Sequence, residues 1–265
     1  MYMLQILLHS SKTMRVPAAA TTPLGVPALL KNAQQLVGIW RAASPATIAA
    51  QMNVSATIAT DVAALYQRWS ADPKRQTPAV DIFVGDIYSG LQTASWSAYD
   101  RKYAQAHLLI LSGLYGAVRP GDGIMPYRLE MGYKLPDSTS LYDFWGDKIA
   151  TLLPADTSCI INLSAVEYTK ALLPHTDLPV ITPKFLTVNK ATGKPTLVTV
   201  HTKIARGAFA SWLITGRISD ISLLPKFSEL GYSYVPEFST ATQPVFVCKE
   251  FGGLGLSVRL TSLSE

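Results

Sequence analysis

Three carboxylates stand in segments whose make-up suits chemistry. Asp86 falls in Phe83-Val84-Gly85-Asp86-Ile87-Tyr88-Ser89-Gly90, and Glu130 in Met125-Pro126-Tyr127-Arg128-Leu129-Glu130-Met131-Gly132. Glu167 falls in Asn162-Leu163-Ser164-Ala165-Val166-Glu167-Tyr168-Thr169-Lys170, where a buried strand emerges. A positioned carboxyl group takes or gives a proton, so each is a candidate acid or base. Each also has a structural reading. Asp86 lies between a strand and a helix, where it would cap the helix. Ser164 would cap another, with Glu167 as its capping-box partner. Arg128 and Glu130 are one residue apart and would share one face of a strand. They form either a structural ion pair or an anion-binding arginine held by its neighbour.

The cations recur beside glycine or aromatic residues. Lys203-Ile204-Ala205-Arg206-Gly207 opens a predicted helix with two positive charges, which that end tolerates better with an anion between them. From Leu111 to Pro120 a predicted helix runs into Gly113-Leu114-Tyr115-Gly116, with Arg119 beyond. That turn is like half of a helix-hairpin-helix, which offers backbone N–H groups to a nucleic-acid phosphate. A plain helix cap is the alternative.

Other site classes find no pattern here. His9, His107, His175 and His201 are scattered, without the spacing of a zinc or iron site, so no metal is expected. Cys159 and Cys248 read as buried thiols without activating neighbours. There is no Walker A segment and no Gly-x-Ser-x-Gly elbow. Gly252-Gly253-Leu254-Gly255 lacks the helix that dinucleotide binding needs, and no cofactor is expected.

These residues need a scaffold, and the chain has the material for one. It has 265 residues, 48% of them hydrophobic, with 15% charged and a net charge of +5. Such apolar content excludes a disordered chain, and so small an excess of positive charge excludes a histone-like protein. No apolar run reaches the ~20 residues of a membrane span. The opening Met1 to Leu8 reads as a first strand rather than a signal peptide, so a cytoplasmic protein is expected.

Helical periodicity runs through Leu30, Ala33, Leu36, Val37 and Trp40, and through Ile58, Val62, Leu65, Tyr66 and Trp69. Ser44 and Ser55 are the caps expected before two helices. Further helices are expected over 99–112, 141–152 and 203–215. Strands are expected over 80–84, 159–163, 180–187, 195–201, 232–235 and 245–249, with a hairpin at Asn189-Lys190-Ala191-Thr192-Gly193. Strands and helices mix without a strict alternation. The expectation is an α+β (mixed α/β) fold in a single domain over 1–265, a mixed β-sheet surrounded by helices.

Taken in order, these segments resemble the YaaA peroxide stress-response family. The match runs through Ser11-Lys12-Thr13, Gly85 to Leu91, Leu111 to Pro120, Pro126 to Gly132 and Leu141-Tyr142-Asp143-Phe144-Trp145. It continues through Asn162 to Lys170, Ala205-Arg206-Gly207 and Gly231-Tyr232. The resemblance implies a mixed α/β domain with a positively charged cleft and a helix-hairpin-helix-like element. It also implies a part in peroxide defence through DNA binding and limitation of iron-dependent oxidative damage. Val84 stands where the family commonly has lysine and Ser211 where arginine is common. Two such losses would lower the salt slope of DNA binding by about two if both met phosphates.

Two function classes follow. In the first, Lys12, Arg119, Arg128, Lys170, Lys203 and Arg206 line a cleft for DNA. Gly113 and Gly116 present backbone donors, and Tyr115 or Tyr127 stacks on a base of an opened duplex. In the second, the chain is an enzyme acting on a nucleotide or nucleobase, with Asp86, Glu130 and Glu167 as its acids or bases and the cations on a phosphate. DNA, double-stranded or locally opened, is the expected partner, with no membrane and no obligate protein partner.

Overall fold

The chain opens with a run that is apolar on both faces. Leu4, Ile6, Leu7 and Leu8 are all buried in strand Met3–His9 (β1), the pattern of a parallel strand covered above and below. This is seen in a computed structural model, which describes residues 3–18 and 22–253. Met1 and Tyr2 of the expected first strand, and Leu254 and Gly255 of the glycine-rich segment, lie outside the described residues.

Four strands join β1 in one sheet. They are Leu108–Ser112 (β2), Gly116–Val118 (β3), Thr157–Asn162 (β4) and Val180–Ile181 (β5), in the spatial order β3-β2-β1-β4-β5. β1 runs parallel to β2, with His9 opposite Leu111, and parallel to β4, with Leu7 opposite Asn162. β3 returns antiparallel along β2. From β1 the chain moves out to β2 on one side and later comes back to β4 on the other. The crevice at the carboxyl ends of β1 and β4 is therefore a topological switch point, the place where open α/β sheets bind ligands.

Helices Leu30–Ala42 (α1), Pro45–Met52 (α2) and Ala56–Arg68 (α3) come between β1 and β2. Ser44 Oγ accepts from Thr47 N and Ser55 Oγ from Ile58 N, the two caps expected from sequence. Asp86–Leu91 (α4) and Ala98–His107 (α5) lead into β2, and Leu141–Trp145 (α6) and Val166–Thr169 (α7) flank β4. Thr199–Thr215 (α8) packs beside a second sheet of Lys184–Val188 (β6), Pro195–Thr196 (β7), Tyr232–Tyr234 (β8) and Val245–Cys248 (β9). There Phe185 meets Phe209, Phe227, Tyr232 and Phe246 at ring separations of 5.4–6.0 Å. The expected hairpin is present as the antiparallel pair β6 and β7. The fold is mixed α/β, as read from sequence.

Several elements differ from expectation. The helix predicted over 99–112 ends at His107, because the buried run Leu108-Leu109-Ile110-Leu111 pairs with β1. Gly113-Leu114-Tyr115-Gly116 therefore joins two strands, and this corrects the helix-hairpin-helix expectation. Residues 80–84 divide into a helical turn, Ala79–Ile82, and a short strand, Phe83–Val84, paired with Thr13–Met14. The helix predicted over 141–152 stops at Gly146, whose φ of +49° ends it. α8 starts at Thr199, so Lys203 and Arg206 lie inside the helix and not at its positive end.

Candidate functional site

A cavity of about 490 Å³ opens at the switch point. Its wall takes His9 to Thr13 from the end of β1, Val84 to Tyr88 from the start of α4, and Glu130 from an irregular segment. Ala165, Glu167 and Tyr168 come from α7 and its approach, and Lys203 from α8. A smaller hollow of about 240 Å³ lies beside Asp81 and Arg101, but there the charges already satisfy each other through bonds of 3.0–3.1 Å.

The crossing of α4 and α8 sets the cavity's geometry. A Cβ on Gly90 would lie 2.0 Å from Ile204 O, and one on Gly207 would lie 1.8 Å from Ile87 O. No side chain fits either gap, so the two backbones touch. That contact brings Asp86 and Tyr88 to the same crevice as Lys203.

His9 is held in one protonation state. Its Nδ1 accepts from Ala165 N at 3.1 Å and lies 3.3 Å from Ser164 Oγ, and its ring stacks on Tyr168 at 4.8 Å. Burial, then the positive charges of Arg206 and Lys203, lower its pKa to about 3. The ring is therefore neutral at physiological pH, and Nε2 carries the hydrogen. Tyr88 donates to His9 O at 3.0 Å.

The three carboxylates have separate fates. Glu130 binds Lys12 Nζ through Oε2 at 2.6 Å and accepts from the Tyr133 hydroxyl through Oε1 at 2.5 Å. Burial, then Glu130, raises the Tyr133 hydroxyl to about 12. Glu167 accepts from Gly132 N at 2.9 Å through Oε1. Asp86 is the first residue of α4, Gly85 takes the cap position, and among the described residues the Asp86 carboxylate has no hydrogen bond or ion pair. Neither capping expectation holds: Asp86 does not cap α4, and Ala165 rather than Ser164 precedes α7. Arg128 and Glu130 do not share a strand, because 125–130 is irregular and Glu130 turns to Lys12.

The proposed cations also divide. Lys12 and Lys203 line the cavity, and Arg206 acts on His9 from the same helix as Lys203. Burial lowers the Arg206 pKa, and neither Lys203 nor Arg206 has a carboxylate partner among the described residues. Arg128 is half-buried, its Nε without a hydrogen-bond partner among the described residues, and Lys170 is exposed at the end of α7; neither is on the cavity wall. Arg119 is structural. Its guanidinium donates to Gln5 Oε1, Ala106 O and Leu152 O at 2.9–3.2 Å.

The tyrosine and glycine donors assigned to DNA from sequence belong to the interior. Tyr115 is fully buried, its hydroxyl accepting from Trp69 Nε1 and Met125 N. Tyr127 is buried against Ser112 Oγ at 2.6 Å. A Cβ on Gly113 would lie 2.3 Å from Leu129 O, and Gly116, at φ +69°, turns the chain into β3. His9, Ser10 and Tyr168, none of them a candidate from sequence, also line the cavity. Their signal was position, since all three stand where strands β1 and β4 end.

A family profile described as peroxide stress protein YaaA matches residues 4–238, which includes every residue of the cavity wall. The chain belongs to the peroxide stress protein YaaA family. Among its relatives, a UPF0246 protein of Salinispora tropica is 48% identical over 257 residues, 96% of this chain and 97% of that protein. A UPF0246 protein of Marinomonas sp. is 36% identical over 93% of this chain and 98% of its own length. One of Dinoroseobacter shibae is 40% identical over 87% and 88%. The YaaA resemblance expected lysine at 84 and arginine at 211. Val84 lines the cavity, and Ser211 Oγ accepts from Trp96 Nε1 at 3.1 Å. Among the described residues no helix is long and apolar enough to cross a membrane.

Proposed function

We propose that the protein serves peroxide defence by engaging DNA, with one nucleotide unit of an opened strand seated in the switch-point cavity. The observation that carries this reading is the pair of cations on α8, Lys203 and Arg206, which have no carboxylate partner among the described residues and stand beside the stacked rings of His9 and Tyr168. Positive charges without partners favour a phosphate, and flat rings favour a base. The wall carries two lysines against Asp86, Glu130 and Glu167, so it is no continuous phosphate track. A single nucleotide unit fits this mixture better than a length of duplex backbone. The volume lies within the ~300–1,000 Å³ of small-ligand sites. The reading gives peroxide defence a molecular form, because the protein meets the DNA that iron-driven oxidation damages.

A second reading, an enzyme acting on a nucleotide or nucleobase, is favoured by the free carboxylate of Asp86 inside the same cavity. It is an acceptor without a partner among the described residues, placed to take a proton.

Fluorescence anisotropy with labelled duplex, bubbled and single-stranded DNA across a salt series tests the first reading. Saturable, salt-sensitive binding that prefers opened strands and weakens in Lys203→Ala and Arg206→Ala is expected. No binding at low salt, or binding by both variants as tight as the parent's, overturns it. For the second reading, turnover of a nucleotide panel that disappears in Asp86→Asn is expected; no turnover by the parent protein rejects it.

A further inference from the structure

We infer that the cavity selects a guanine-type base and that Asp86 reads it. The inference rests on the nucleotide reading above and deepens it. Of the three wall carboxylates, Glu130 is held by Lys12 and Tyr133, and Glu167 by the backbone of Gly132. Asp86 alone among them has both oxygens unused by the described residues, although it sits half-buried on the cavity wall.

An ionised carboxylate only accepts, and its two oxygens suit two parallel donors. Among the common nucleobases, guanine offers such a pair, N1–H beside the 2-amino group. Adenine and cytosine each set a ring-nitrogen acceptor beside their amino group. Thymine and uracil flank one N–H with two carbonyl oxygens. Each of those edges would turn an acceptor toward Asp86 and leave a desolvated carboxylate facing a lone pair, which rejects the wrong base as strongly as the matched edge attracts the right one. His9 and Tyr168, whose rings stack on each other at 4.8 Å, line the same cavity, and Lys203 supplies a donor for phosphate from the same helix as Arg206.

Isothermal titration calorimetry on the full chain with GMP, IMP, AMP and CMP tests this. IMP differs from GMP only in lacking the 2-amino group. GMP should bind about tenfold or more tighter than IMP, and AMP and CMP should bind more weakly still. Asp86→Asn should abolish the preference of GMP over IMP, whereas Arg206→Ala should weaken all four alike and keep the order. Equal binding of GMP and AMP by the parent protein, or an intact preference in Asp86→Asn, overturns the guanine assignment and leaves the nucleotide cavity standing. Absence of binding by all four overturns both. The GMP–IMP comparison uses the parent protein, so it holds even if Asp86→Asn fails to fold.

Discussion

Gly207 and Ile87 stand so close that a Cβ on the glycine would lie 1.8 Å from the Ile87 carbonyl oxygen. The segments Asp86 to Leu91 and Ala205 to Gly207, far apart in sequence, are the two sides of one backbone contact. Their glycines are packing residues, and the charged residues beside them owe their meeting to that contact. Gly207→Ala should force α4 and α8 apart and destabilise the protein by about 1–3 kcal/mol, the usual cost of overpacking. Thermal denaturation measures the loss, and nucleotide or DNA binding should fall with it.

His9 should give the protein an acid limit. Its folded pKa is lowered from 6.5 to about 3, so below pH 6.5 the unfolded chain binds a proton that the folded chain refuses. Its stabilising contribution is complete above pH 6.5 and is lost progressively as pH falls towards 3. The slope is about 1.4 kcal/mol per pH unit, or about 2 kcal/mol between pH 6.5 and pH 5. His9→Asn keeps an acceptor for Ala165 N without the titration. Urea denaturation at the two pH values should show a smaller difference for this variant than for the parent.

Tyr115→Phe should leave DNA binding unchanged and lower stability. Removing the hydroxyl leaves the buried Trp69 indole N–H and the Met125 N–H without their acceptor, at a cost of about 1–3 kcal/mol. Chemical denaturation and anisotropy together separate this outcome from a base-stacking role, which would weaken binding at constant stability.

Lys12→Ala should do the reverse. The Lys12–Glu130 pair has a lysine side chain 60% exposed, and such pairs contribute at most about 1 kcal/mol to folding. Removing Lys12 takes a cation from the cavity wall and frees one oxygen of Glu130. Ligand affinity should fall while the melting temperature stays near that of the parent.

Arg119→Ala should melt early and bind normally. Three acceptors, Gln5 Oε1, Ala106 O and Leu152 O, lose their shared donor, and none of these residues lines the cavity. Comparison of its denaturation midpoint with that of Lys12→Ala distinguishes a structural cation from a ligand-facing one.

Local chemistry was legible in the sequence. Hydrophobic period and serine caps marked α1 to α3, the turn at Asn189 to Gly193 marked the β6–β7 hairpin, and the ordered motifs marked the family. Each of these signals is carried by residues a few positions apart, whose interactions survive any tertiary arrangement. The switch from helix to strand at Leu108 was not legible, because Leu108-Leu109-Ile110-Leu111 suits either a buried helix or a buried strand until β1 lies beside it. The roles of the motif residues were likewise decided only in three dimensions. Lys12 finds Glu130, Gly132 N finds Glu167, and Trp69 finds Tyr115 across long stretches of chain. A carboxylate is free or engaged according to which distant donors the fold brings to it. By itself the sequence determined which groups were available for chemistry; the tertiary structure alone decided that Glu130 and Glu167 are engaged while the Asp86 carboxylate has no partner among the described residues.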